Sequence, residues 1–169
     1  MIVKLEKQEF DTVFDLMERS FPLEEYRLYE AQKALLQDPV YTIYAVKEKE
    51  GILGFAAVWE LEDWLFLEHL AVEPAQRNRG IGAQLLQFLS ERHCCLEVEP
   101  PLTELACRRV GFYKRNGFFL NDYPYMQPSL GEGRSAVPLY IMTSGRTITP
   151  EEFAKLKNLL YSRVYGQKQ

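Results

Sequence analysis

Two arginines and two glycines stand close together in Arg77-Asn78-Arg79-Gly80-Ile81-Gly82, and that combination points to anion binding. The segment follows an apolar run, Trp64 to Val72, and opens a helical pattern from Gly80 to about Arg92. The first turn of a helix carries backbone N–H groups with no intrahelical partner, and the helix dipole adds partial positive charge there. Together they hold a phosphate group. Glycines at 80 and 82 let a pyrophosphate reach the backbone without meeting a Cβ. Arg77 and Arg79 add charge and forked donors. The segment is not a Walker loop, because no Lys-Ser/Thr pair follows the glycines. Nor is it the dinucleotide fingerprint, because the place of its third glycine is taken by Leu85. From these residues alone, a tight strand-to-helix turn without a ligand stays open beside the anion site.

A second set of chemically capable residues is carboxylic. Glu68 interrupts the apolar run 64–72, and a carboxylate there must be paired, solvated or protonated. Strand alternation gives it the same face as Phe66 and Leu70, with His69 on the opposite face as a packed histidine. Glu97 and Glu99 alternate with Leu96 and Val98 just before Pro100-Pro101. A solvated face and a functional role both fit these two. Cys94, Cys95 and Cys107 are an odd number, and with only His69 and His93 beside them they form neither a disulfide framework nor a metal site. Cys94 and Cys95 sit in an apolar segment and read as buried, inert thiols.

The elements that position these residues follow from periodicity. Residues 1–7 alternate as a half-buried strand. Asp11 through Ser20 is helical and is broken at Phe21-Pro22. The spacing predicts a second helix from about Glu24 to Leu36, with Tyr26, Tyr29, Leu35 and Leu36 inward. Val40 to Val46 and Ile52 to Glu60 read as a hairpin around a charged turn. Trp64 to Val72 is apolar on both faces and reads as a central strand. The helix from Gly80 buries a stripe of Ile81, Leu85, Phe88 and Leu89. Cys94 to Val98 is a short strand, and Leu102 to Arg115 is a helix capped by Asn116-Gly117. Phe118 to Tyr125 and Val137 to Thr143 are two more strands. Thr149-Pro150-Glu151-Glu152 opens a last helix with a capping box.

The 169 residues, 47% hydrophobic and 26% charged, suit one soluble domain over 1–169. A net charge of −4 argues against nucleic acid as a partner. No apolar run reaches the ~20 residues that span a bilayer, and the start is unlike a signal peptide, so the expectation is a cytoplasmic protein without a membrane partner.

The motif now has a family context. Leu70-Ala71-Val72 followed by Arg77-Asn78-Arg79-Gly80-Ile81-Gly82 resembles the acyl-CoA signature of the GNAT N-acetyltransferase superfamily, Gln/Arg-x-x-Gly-x-Gly/Ala. Phe112-Tyr113-Lys114-Arg115-Asn116-Gly117-Phe118 resembles the Phe-Tyr-x-x-x-Gly-Phe ending of that family's later helix. The resemblance implies an α+β (α/β) fold: a central mixed, mostly antiparallel sheet of about seven strands, with a splayed parallel pair, flanked by helices. It implies acetyl-CoA as acyl donor, wedged between strands 64–72 and 94–98 with its amides paired like an added strand.

The cofactor-binding residues it implies are Leu70, Ala71, Val72, Arg77, Asn78, Arg79, Gly80, Ile81, Gly82, Ala83 and Tyr113. It gives Tyr113 the role of acid toward the leaving thiolate and Glu68 that of base toward the amine, with Glu97 or Glu99 as the other carboxylates for that task. A backbone N–H such as that of Leu70 would meet the oxyanion. Glu97 and Glu99, beside the second splayed strand, and Tyr26 and Tyr125, within the segments 21–29 and 121–128, are the candidate acceptor residues. The family often carries Asn where this chain has Ala106, which leaves one cofactor contact without its usual residue. The expected reaction is direct acetyl transfer to the primary amine of a small molecule. A peptide amine and a non-catalytic acyl-CoA-binding module are the alternatives. The acceptor amine is unnamed by the sequence, and a homodimer, common in the family, is left open.

Overall fold

The computed structural model describes residues 1–167. Seven strands form one sheet in the order β1-β2-β3-β4-β5-β7-β6. They are β1 (Ile2–Lys4), β2 (Tyr41–Glu48), β3 (Gly51–Leu61), β4 (Trp64–Val72), β5 (Cys94–Val98), β6 (Phe118–Gln127) and β7 (Val137–Ser144). All neighbours are antiparallel except β4 and β5. One face is covered by α1 (Phe10–Ser20), α2 (Tyr29–Ala34) and α5 (Pro150–Arg163), the other by α3 (Ile81–Leu89) and α4 (Glu104–Arg115). This is the expected α+β sandwich, and β4 lies at its centre, buried on both faces as its apolar run requires.

The parallel pair is brief. β4 and β5 pair only over Leu65–Leu67 and Cys94–Leu96. Beyond that the two strands part, and Glu68 and Glu97 stand level at the point of divergence, each two residues past the paired Phe66 and Cys95. The splay opens the sheet from its middle.

A bulge changes the expected facing of β4. Ala57 pairs with His69 and Val58 with Leu67, so Glu68 is the extra residue. In a bulge, consecutive side chains turn to one side. Glu68 therefore keeps the face of Phe66 but not that of Leu70, and His69 joins Glu68 toward α1 and α2 rather than opposing it.

The second predicted helix is also divided. The chain makes a short 3-10 turn at Leu23–Glu25, extends through Tyr26 to Leu28, and only then forms α2. Polar contacts override local helix propensity here. The Arg27 guanidinium is drawn into the sheet face by Glu68, and the Arg27 N–H donates to the Gln32 side chain at 3.1 Å. In α3 the buried stripe is Ile81, Leu85, Leu86 and Leu89, while Phe88 stays half exposed against Tyr44. Full burial of a residue such as Leu85 contributes about 1.5–3 kcal/mol. Thr149 caps α5 with the predicted capping box.

Candidate active site

A cavity of about 540 Å³ runs along the gap between β4 and β5. One end is the turn before α3. Its wall includes Leu70, Ala71 and Val72, then Arg77, Asn78, Gly80, Ile81, Gly82 and Ala83. Gly80 is the N-cap of α3 at φ +76°, a left-handed conformation that favours glycine, and Asn78 also has positive φ. Gly82 serves a different purpose: a Cβ there would meet the Phe112 ring of α4 at 3.0 Å. The glycines thus shape the turn and let α3 pack on α4, and the residues of that first turn, whose N–H groups have no intrahelical partner, line the cavity. Arg79 does not line it. Its guanidinium bonds Gln76 and the Glu48 carboxylate, the latter at 3.2 Å. Arg77 remains at this end; Arg108 and Arg109 of α4, which sequence reasoning missed, also reach the wall, Arg109 at the opposite end beside Glu99.

Tyr113 lines the cavity midway, from the α4 stripe that buries Ala106 and Val110. Its ring packs edge-on against Phe112 and Phe118. Burial pushes its phenol well above the ordinary value, so it stays protonated.

The other end is acidic. Glu25, Glu68, Glu97 and Glu99 all reach the wall, with Phe21 and Gln127. Their environments differ. Glu68 is 3% exposed and is paired with Arg27 at 3.0 Å. It also accepts from the Trp59 indole at 2.8 Å. Burial alone would raise its pKa, but the Arg27 guanidinium first, and then the Trp59 hydrogen bond, hold it below the ordinary carboxylate range. Glu97 accepts one phenol on each oxygen, Tyr125 at 2.5 Å and Tyr165 at 2.6 Å. Burial nevertheless pushes it up to about 7. Glu25 is likewise pushed up to about 7, by burial first and then by the neighbouring Glu99 carboxylate. Arg109 stands 4.0 Å from Glu99 and donates to the Ser20 carbonyl.

His69 holds this end together. Its Nε2–H donates to the Glu25 carbonyl at 2.6 Å, and its ring packs edge-on against Phe21. Burial keeps it neutral. Tyr26 and Tyr125 do not reach the cavity. Tyr26 packs on Phe14 and under Arg134, and Tyr125 acts behind the wall through Glu97. Of the segment 121–128 only Gln127 lines the cavity, and of 21–29 only Phe21 and Glu25. Glu25, Arg27 and Tyr165 were invisible to periodicity, because each acts from a turn or an extended stretch. Cys94 and Cys95 are buried; burial pushes the Cys94 thiol up to about 12 and the Cys95 thiol well above its ordinary value.

Comparison with known proteins identifies the family. An acetyltransferase (GNAT) domain model matches residues 39–119. A solved structure, a putative acetyltransferase from the GNAT family of Bacteroides thetaiotaomicron, is 31% identical over 99% of both chains, with a TM-score of 0.89. The chain belongs to the GNAT acetyltransferase family. This GNAT enzyme is accordingly an acyl-CoA-dependent N-acyltransferase with acetyl-CoA as its donor. Two further relatives are more distant. The putative acetyltransferase YjbC of Bacillus subtilis is 26% identical over 92% of this chain and 82% of its own. The peptidyl-lysine N-acetyltransferase YiaC of Escherichia coli is 29% identical over 58% of this chain and 60% of its own. Among the described residues no helix is long and apolar enough to cross a membrane.

Proposed function

We propose that this GNAT enzyme acetylates a primary amine of a small cationic molecule by direct attack on acetyl-CoA, with Glu97 as base and Tyr113 as acid. The observation that carries the reading is the acidic end of the cavity, where Glu97 faces the point at which β4 and β5 part. An ammonium group is drawn there by Glu25 and Glu99 and by Glu97 itself. Glu97, pushed up to about 7, is matched to taking a proton near neutral pH. Glu68, level with it across the gap, is a poorer base, because Arg27 and Trp59 occupy it and hold it ionised. Its role in this reading is to position Arg27.

The opposite end suits the donor. The α3 N-terminus, Arg77 and the glycine-shaped turn fit a pyrophosphate, and the unpaired lengths of β4 and β5 fit an extended amide chain laid between them. When bound, acetyl-CoA supplies the thioester carbonyl that the amine attacks. Tyr113 meets the departing sulfur with its hydroxyl. A phenol of ordinary acidity gives a proton to a thiolate uphill by about 2 kcal/mol. Burial makes full transfer steeper, so Tyr113 acts chiefly as a hydrogen-bond donor until the sulfur carries its charge. The buried, protonated Cys94 and Cys95 support direct attack over a thioester formed on the protein. Acetylation of a peptide amine is the second reading, favoured by the similarity to the peptidyl-lysine N-acetyltransferase YiaC.

The test is CoA thiol release from acetyl-CoA with a panel of small diamines, neutral monoamines, amino acids and lysine peptides. Faster release with small cationic amines than with the rest is the expected result. Release driven by lysine peptides alone would transfer the reading to peptide acetylation, and binding without release by any amine would defeat both.

A further inference from the structure

The turn after α5 carries Tyr165, whose hydroxyl crosses to the sheet and donates to Glu97 Oε1 at 2.6 Å. Tyr125, from β6, donates to the other oxygen, Oε2, at 2.5 Å. A carboxylate has about four acceptor positions, so two remain for a ligand when two phenols are bound. The turn is held in place from the acidic end of the same cavity. Arg27, paired with Glu68, also donates to the Val164 carbonyl at 3.5 Å. Within the turn, the Tyr165 N–H donates to Leu160 and the Gln167 N–H to Tyr161, and Gly166 takes the positive φ of 62° that the reversal needs. Polar contacts therefore run in a circuit: Glu68 on β4, Arg27, the turn after α5, Tyr165, and Glu97 on β5.

We infer that Tyr165, with Tyr125, is a positioning residue for Glu97: each phenol fixes one carboxylate oxygen from behind the wall, and the remaining lone pairs are left facing the cavity. The inference rests on the reading of Glu97 as the base. In that step an ammonium N–H bond breaks, its electron pair stays on nitrogen for attack, and the proton forms a new O–H bond on Glu97. Solvent removes that proton before the next turnover. Two donors to the charged form favour it and offset part of the burial that disfavours it. The other groups acting on Glu97 are Glu68, which is paired with Arg27, then Glu25, Cys95 two residues away on its own strand, and Tyr161 of α5. Arg27 is neutralised by Glu68, and Glu25 stands as a like charge, so the two phenols are the nearest groups that favour ionised Glu97.

The test titrates Glu97 directly in the full chain with no substrate. Carboxyl-13C glutamate is incorporated, and the Glu97 resonance is assigned by its loss in Glu97→Gln. Tyr165→Phe is expected to raise its midpoint by about one pH unit, and Tyr125→Phe by a similar amount. With a panel amine that supports release, the acidic limb of kcat/KM in Tyr165→Phe should move up by the same interval. A Glu97 midpoint unmoved in Tyr165→Phe would overturn the positioning role. Should Tyr165→Phe not fold, the ring-13C resonance of Tyr165 in the unaltered protein decides: it should shift with the Glu97 midpoint, and independence from it overturns the inference. The base reading fails separately, if Glu97→Gln keeps full turnover and its acidic limb.

Discussion

At the scale of single residues, the proposed roles follow from how each ionisable group is partnered. Glu68 and Glu97 are the same residue type, level with each other across one gap, yet one is held ionised by Arg27 and the other is pushed up to about 7. Two like groups driven apart in this way divide their tasks. Tyr113→Phe isolates the proposed acid: it should leave acetyl-CoA affinity within about twofold and lower kcat roughly 10²-fold or more, read by steady-state kinetics beside a binding titration. Unchanged kcat would remove Tyr113 from the mechanism. The motifs at 77–82 and 112–118 were legible because glycine, arginine and tyrosine at fixed spacing have few local explanations, although Arg79 turns away to Glu48 and Gly82 makes room for Phe112. Glu68 was legible as a misfit in an apolar run, but its partner was not. Arg27 lies far away in sequence, in a stretch whose composition reads as helix.

At the scale of elements, the site depends on two departures from regular structure. The first is the bulge at Glu68, which turns Glu68 and His69 to one face and lets them hold the 21–27 stretch through Arg27 and Glu25. Alternation of residue types cannot show a bulge, because the extra residue is a property of pairing register and not of one strand. The second is the left-handed Gly80 at the N-cap of α3. Gly80→Asp should abolish acetyl-CoA binding in a calorimetric titration, since it strains the turn and sets a negative charge at the anion end. Retained affinity would contradict the phosphate assignment. Element type was legible for β4 from its apolar run, for α3 from its buried stripe, and for α4 and α5, which also carry threonine N-caps. The 24–36 helix was misread because its buried arginine and its acceptor carbonyl needed an extended backbone between two short turns.

At the scale of the molecule, one sheet carries two stacked demands. Its α3/α4 face builds the donor cavity with apolar packing, and its α1/α2/α5 face carries the charged circuit through Arg27 and Tyr165. Breaking that circuit should be felt globally. Arg27→Ala leaves Glu68 buried without its partner and should lower unfolding free energy by about 3–5 kcal/mol in a denaturant titration. A loss within the range of surface substitutions, about 0.5 kcal/mol, would show that the pair is not structural. The mixed, mostly antiparallel sheet and its splayed parallel pair were implied by family resemblance, while the acidic end was not, because it is assembled from β4, β5 and the turn before α2.

The central claim is direct transfer from acetyl-CoA to an amine held at the acidic end of the cavity. Mass spectrometry of a single turnover, with enzyme in excess over acetyl-CoA and a small cationic amine present, tests it most directly. The account predicts one acetyl group on the amine nitrogen, one equivalent of free CoA thiol, and an unmodified protein chain. Acetyl-CoA recovered intact, or the acetyl group recovered on the protein, would contradict it.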